Sequence, residues 1–170
     1  MNIITMQLLT IIVLIAVYDD LLRYKISNKI IAFGVMIAVI YLGLYLLWGI
    51  VVNKGLLLSI DILIKDSILG LLVGFFGMFI LYVFGAVGAG DVKLMGVIGL
   101  LGGIGLVRYV LLYSLISGGI LGILGMLLKR CDNIGKYGMR VHIMHYSLAI
   151  AVGVALGMLK VCWQEVVSFE

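Results

Sequence analysis

Three aspartates stand beside long uncharged runs of the sequence. Asp19 and Asp20 follow an uncharged run over residues 1–18, and Asp91 lies in the glycine-rich segment GAGDVK after another such run over 67–90. An ionisable group at membrane depth is costly, so it is a functional hypothesis by default. Two carboxyl groups that are brought close cannot both ionise, so one keeps a proton while the other acts as a base toward water. A pair of this kind could hydrolyse a peptide bond as aspartic proteases do.

The residues around Asp91 fit this chemistry. Gly88 and Gly90 remove side chains from the turn and permit a positive φ, so an extended substrate backbone could approach the carboxylate closely. Lys93 follows two residues later and is interpreted as an anchor at the membrane interface with an electrostatic influence on the site. A structural ion pair between Asp91 and Lys93, or a cation held by Asp91, is the alternative.

Composition restricts the class of protein. Hydrophobic residues make up 65% of the 170 residues and charged residues 12%, and the mean hydropathy is +1.32. These values lie far outside those of a soluble domain and predict an integral membrane protein whose surroundings are a lipid bilayer. The net charge of +4 is modest and no basic cluster contains interleaved aromatics, so a nucleic-acid partner is not predicted.

Charged residues divide the chain into uncharged runs, and about 20 apolar residues cross a bilayer. The runs cover residues 1–18, 30–53, 67–90, 94–107, 109–128 and 141–159. They predict an all-α polytopic protein with about six transmembrane helices, the fourth being short. Asp61 and Lys65 lie at i,i+4 within 55–66, which predicts a separate short helix in the interface. Glycines at four-residue spacing, such as Gly70 and Gly74, predict close helix packing.

Lysines and arginines in alternate loops predict the orientation. Loops one, three and five contain Arg23, Lys25, Lys29, Lys93, Lys129, Arg130, Lys136 and Arg140, whereas the other side contains Lys54, Lys65, Arg108 and Lys160. Eight against four places the odd loops in the cytoplasm and both termini outside. The aspartates of loops one and three would then share the cytoplasmic face. No linker or soluble segment is apparent, so residues 1–170 are expected to form one transmembrane domain.

Two motifs together carry a resemblance to a known family. GAGD, followed by Val92 and Lys93, resembles the GxGD motif of type IV prepilin peptidases and archaeal preflagellin peptidases. In that family an aspartate at the end of helix one is followed, six residues later, by a hydrophobic residue and then Pro-Asn. Asp20 precedes Ile26, Ser27 and Asn28 at this spacing, which selects Asp20 over Asp19. Ser27 stands where the family prefers proline, as does His145 in HYSLAIAVG.

The resemblance implies a membrane aspartic endopeptidase with Asp20 and Asp91 as its catalytic residues and with no metal or cofactor. Its substrates would be prepilin-like precursors with a basic leader and a hydrophobic helix, cleaved at the cytoplasmic face of a prokaryotic cytoplasmic membrane. Members that also methylate carry a segment with CxxC motifs. No CxxC occurs in this sequence, so it resembles the short, peptidase-only members.

Two other functions stay open at this stage. A small cation transporter or channel could use paired aspartates, and it predicts flux across a bilayer and tolerance of one Asp→Glu change. A presenilin-like or signal-peptide-peptidase-like protease shares GxGD, but its PAL motif is absent from this sequence.

Several further polar residues are given ordinary roles. Asn28 is expected to cap helix two. His142 and His145 have a spacing that can bind metal, yet no third ligand joins them and an interfacial role is favoured. Asp61, Asp66 and Asp132 are interpreted as solvated loop charges.

Overall fold

The computed structural model describes residues 3–23, 26–52, 57–131 and 146–167, and within these ranges the chain forms helices and no strand. The helices are α1 (Ile3–Arg23), α2 (Asn28–Val52), α3 (Leu57–Val83), α4 (Ala89–Cys131) and α5 (Tyr146–Val167). All five are long and apolar enough to cross a membrane. This confirms the predicted fold class, an α-helical polytopic membrane protein. A bilayer favours helices because they satisfy their backbone hydrogen bonds within one segment.

The bundle is built around α4, which packs most extensively against α3 and next against α5. Its side chains Leu94, Met95, Ile98 and Val107 are fully buried. Large apolar side chains cover the outside of the bundle, and examples are Leu14, Ile40 and Phe76, which are more than half exposed. A soluble monomer rarely shows such a surface, whereas lipid tails would cover it in a membrane.

Helix α4 reverses direction at Gly103, where φ is 67° and ψ is −178°. Gly70 of α3 lies against both Gly99 and Gly103, and Gly74, one turn later, lies against Met95 and Val107. From Gly70 to Gly74 along α3, the residue numbers of the contacts on α4 therefore decrease from 99 to 95 before Gly103 and increase from 103 to 107 after it. We call residues 89–102 the first arm and residues 104–131 the second arm. The first arm is antiparallel to α3 and the second is parallel to it.

Asp66 of α3 supports this reversal. Its Oδ1 accepts a hydrogen bond from the backbone N of Ile104 at 3.2 Å, and its carboxylate lies against Gly103. The acceptor satisfies one of the donors that the start of the second arm leaves without a helical partner. The interpretation of Asp66 as a solvated loop charge was therefore wrong, because the residue is half-buried within a helix.

Two predicted boundaries differ from the structure. The described residues form five helices, so the predicted count of six is not confirmed. The runs 94–107 and 109–128 belong to one element, α4, which is broken at Gly103 rather than at Arg108. Arg108 is exposed and does not interrupt the second arm. The separate interfacial helix predicted over 55–66 is also wrong, since α3 is continuous from Leu57. Long charged side chains can reach the interface from within a helix, so a charge is a poor marker of a helix end.

The remaining contacts order the helices along the bundle. Helix α5 runs antiparallel to α1, because Met6 contacts Cys162 near one end while Asp20 contacts Ser147 at the other. The end of α1 and the starts of α2, α4 and α5 therefore meet at one end of the bundle, which we call the aspartate end. Glycines allow the close approach that was predicted: a Cβ on Gly153 would lie 2.8 Å from the carbonyl oxygen of Val110.

Candidate active site

Asp19 ties the end of α1 to the connection that follows it. Its Oδ1 accepts from Arg23 Nε at 3.0 Å, and its Oδ2 accepts from the backbone N of Ser27 at 2.8 Å. Asp19 is buried, whereas the Arg23 side chain is 73% exposed. Both carboxylate oxygens of Asp19 thus have structural partners.

Ser27 lies directly before α2, and Asn28 connects α2 to α4. The Oγ of Ser27 accepts from the backbone N of Lys29 at 3.3 Å, and its carbonyl accepts from Ile31 N at 3.4 Å. These bonds make Ser27 the N-cap. The prediction that Asn28 caps the helix was wrong by one residue. Instead Asn28 Oδ1 accepts from Lys93 Nζ at 3.1 Å, so these two predicted site residues contact each other.

Asp91 lies in the first turn of α4 and is buried. Its Oδ2 accepts from the backbone N of Gly88 at 3.2 Å, while the Gly88 carbonyl accepts from the backbone N of Asp91 at 3.1 Å. A carboxylate at the third position of a helix that accepts from the backbone N–H of the residue just before the helix forms one half of a capping box. The start of α4 therefore fixes the Asp91 carboxylate.

The two glycines of GAGD have different surroundings. A Cβ on Gly90 would lie 3.0 Å from the Cβ of Ile26, so Gly90 lets the α1–α2 connection pack directly on the first turn of α4. Ile26 thus occupies the space directly beside Gly90. Gly88 is exposed, and a Cβ there would lie 3.3 Å from Asp91 Oδ2. Gly88 alone leaves open room beside the carboxylate.

The fold brings Asp20 and Asp91 together from separate helices. Both residues are buried, and their charges are close enough to interact. A third helix contributes Ser147, whose Oγ donates to Asp20 Oδ2 at 2.6 Å. Next to it, Tyr146 is close enough to interact electrostatically with Asp91, and its hydroxyl donates to the carbonyl of Ser114 at 3.1 Å. Helices α1, α4 and α5 thus meet at the carboxyl pair.

Sequence reasoning missed Ser147. The signal was a hydroxyl in the otherwise apolar segment SLAIAVG at the start of the last predicted span, but only the fold shows its partner. Asp132, His142 and His145 lie outside the described residues. Within those that are described, no group of three His, Cys, Asp or Glu side chains could hold a metal ion.

A comparison with known families decides the class of the protein. The model of the type IV leader peptidase family matches residues 7–123, more than half of the chain. The chain belongs to the type IV leader peptidase family. This confirms the resemblance that the sequence motifs predicted. No curated protein and no solved structure matches the chain.

Membership of the leader peptidase family makes this chain a multi-pass membrane protease that acts on a peptide substrate. The matched range contains most of α1, all of α2 and α3, the first arm of α4 and most of its second arm, and with them Asp20 and Asp91. Helix α5 and its Ser147 lie outside it.

Proposed function

We propose that this leader peptidase is an aspartic endopeptidase that removes the leader of type IV pilin-like precursors, with Asp20 and Asp91 as its catalytic pair. The observation that carries the proposal is the meeting of these two buried carboxyl groups, which come from α1 and α4, at one end of a membrane bundle. Asp19 is not part of the pair, because its oxygens are bonded to Arg23 and Ser27.

The pair supplies both the acid and the base that peptide hydrolysis needs. One carboxylate takes a proton from a water molecule, whose oxygen attacks the scissile carbonyl carbon. The other carboxyl group gives its proton to the carbonyl oxygen. When the C–N bond of the tetrahedral intermediate breaks, the leaving nitrogen takes a proton from the first group, and the second recovers one from the intermediate.

The surroundings of the pair fit a substrate that combines an extended segment with a hydrophobic helix. The exposed Gly88 gives an extended backbone room beside Asp91. The apolar exterior of the bundle can receive a hydrophobic helix from the side, within the bilayer. A precursor whose leader precedes such a helix would place its scissile bond at the aspartate end.

The aspartate end is proposed to face the cytoplasm. Arg23, Lys29 and Lys93 all lie at this end, and eight of the twelve basic residues belong to the predicted loops on this side. An excess of lysine and arginine in short loops marks the cytoplasmic side of membrane proteins. A basic leader would then be cut before its helix is released into a pilus.

A cleavage assay with the purified enzyme in detergent tests the proposal. The substrate is a precursor that carries a basic leader, a glycine and a hydrophobic helix. Asp20→Asn and Asp91→Asn should each remove nearly all turnover while the Michaelis constant changes little, because each group acts in the transition state. Normal cleavage by either variant would refute the pair, and ion flux through liposomes that hold the inactive variants would favour a channel instead.

A further inference from the structure

A short hydrogen bond at the aspartate end comes from a residue without a role in the mechanism above. Ser147 Oγ donates to Asp20 Oδ2 at 2.6 Å, and both residues are buried. Hydroxyl-to-oxygen distances of about 2.5–2.7 Å are typical of a charged carboxylate acceptor, whereas neutral pairs centre near 2.7–2.8 Å. The contact therefore gives Asp20 a short hydroxyl donor, and a donor of this kind favours the charged form of a carboxyl group.

Asp91 is held by a different kind of donor. Its carboxylate accepts from the backbone N of Gly88 at 3.2 Å, at the long end of the range for such bonds. The start of α4 also favours a negative charge on Asp91, and Ser147 has to outweigh that contribution. The bond from Ser147 is the stronger of the two, because it is short whereas the bond from Gly88 is near the upper limit of its range.

The other charged and titratable groups around the pair have partners of their own. On α1, Arg23 pairs with Asp19. On α5, the Tyr146 hydroxyl donates to the carbonyl of Ser114 and is close enough to Asp91 of α4 to interact with it electrostatically.

We propose that Ser147 is a positioning residue that keeps the negative charge on Asp20, so that Asp20 is the base and Asp91 is the acid. This inference rests on the proposed function. Asp20 then takes the proton from water, and Asp91 gives its proton to the carbonyl oxygen. On cleavage Asp20 passes its proton to the leaving nitrogen, and Asp91 recovers one from the tetrahedral intermediate, which restores the starting state.

The test is the pH dependence of turnover in Ser147→Ala. The turnover number should fall about ten- to a hundred-fold, as expected when a charged group loses a hydrogen bond, and the Michaelis constant should change little. The acid limb of the profile should move up by about one pH unit, because the carboxyl pair loses a donor that stabilises its negative charge. Ser147→Cys keeps a similar size with a weaker donor and should be intermediate in both measurements.

Ser67→Ala is the matched control. Ser67 is buried like Ser147, but it lies on α3 next to Asp66, at the end of the bundle opposite the aspartate end. This variant should keep both the turnover number and the acid limb of the wild-type enzyme.

The outcomes separate this inference from the proposed function. If Asp20→Asn and Asp91→Asn are inactive while Ser147→Ala has the wild-type profile, the role of Ser147 is refuted and the pair stands. A slower Ser147→Ala enzyme with an unmoved acid limb also refutes the role, since it would indicate packing alone. If the alanine variant does not fold, a wild-type profile in Ser147→Cys is the contradicting result. If both asparagine variants cleave normally, the proposed function itself fails.

Discussion

Adjacent aspartates at the end of α1 allow a sharp test of which carboxyl group is catalytic. Successive residues of a helix point about 100° apart, so Asp19 and Asp20 cannot both face Asp91. Asp19 faces Arg23 and Ser27, whereas Asp20 contacts Ser147 and interacts with Asp91. We therefore expect Asp19→Asn to affect stability and Asp20→Asn to affect turnover.

The size of the Asp19→Asn effect follows from its two contacts. The pair with Arg23 is worth about 0–1 kcal/mol, because the guanidinium is largely exposed and solvent screens the pair. An amide oxygen can still accept from Ser27 N, so replacing the charged acceptor by a neutral one should cost about 1 kcal/mol. The total of about 1–2 kcal/mol leaves most molecules folded, since domains are stable by about 5–15 kcal/mol. Loss of a general base costs about 10²–10⁴-fold in rate.

Single-turnover cleavage and thermal unfolding of the two variants in the same detergent measure both quantities. Asp19→Asn should keep the rate within about threefold while its melting temperature falls by about 2–8 °C. Asp20→Asn should be nearly inactive while it remains folded. An inactive Asp19→Asn together with an active Asp20→Asn would show that the motif is aligned one residue out of register.

Three further predictions concern the α1–α2 connection, the reversal in α4 and the orientation. Ser27→Pro removes the backbone N–H that donates to Asp19, so the melting temperature of this variant should fall by about 5 °C even though related enzymes prefer proline there. An unchanged melting temperature would contradict a stabilising role of this hydrogen bond. Gly103→Ala places a side chain in a backbone conformation that essentially only glycine adopts, so it should lower the free energy of unfolding by about 1–3 kcal/mol or more. Gly105→Ala has open space around it and should change that free energy by less than about 1 kcal/mol. Equal effects of the two substitutions on thermal unfolding would refute the backbone strain at Gly103. A cysteine that replaces Lys29, in a chain without its native cysteines, should react with an impermeant maleimide only after cells are opened, and labelling in intact cells would reverse the proposed orientation.

The sequence was informative where a pattern has one physical explanation. Long apolar runs can only be membrane helices in a chain this hydrophobic, which is why the fold class was predictable. The spacing from Asp20 to Ile26 and Asn28, together with GAGD, predicted the family. Both motifs are local, so they can be read without knowledge of the fold.

Features that depend on contacts between distant segments could not be predicted. In the sequence, Asp66 resembles any charge near a helix start. Only the fold shows that its carboxylate lies against Gly103 and accepts from the backbone N of Ile104. Arg108 marks a helix boundary in the charge pattern but not in the structure, and the break at Gly103 has no local signal because this glycine lies within a glycine-rich run. The contact between Ser147 and Asp20 joins the first and last helices, and no spacing rule relates them.

The position of α5 has a consequence for biosynthesis. The chain enters the membrane from its N-terminus, so Asp20 is inserted first, Asp91 much later, and Ser147 last of the three. Until α5 packs against α1 and the second arm of α4, the carboxyl pair lacks the side chains that α5 contributes, including the Ser147 hydroxyl that donates to Asp20. On the proposed mechanism, a nascent chain therefore holds both aspartates before it holds the complete site, and it becomes competent only when α5 is in place.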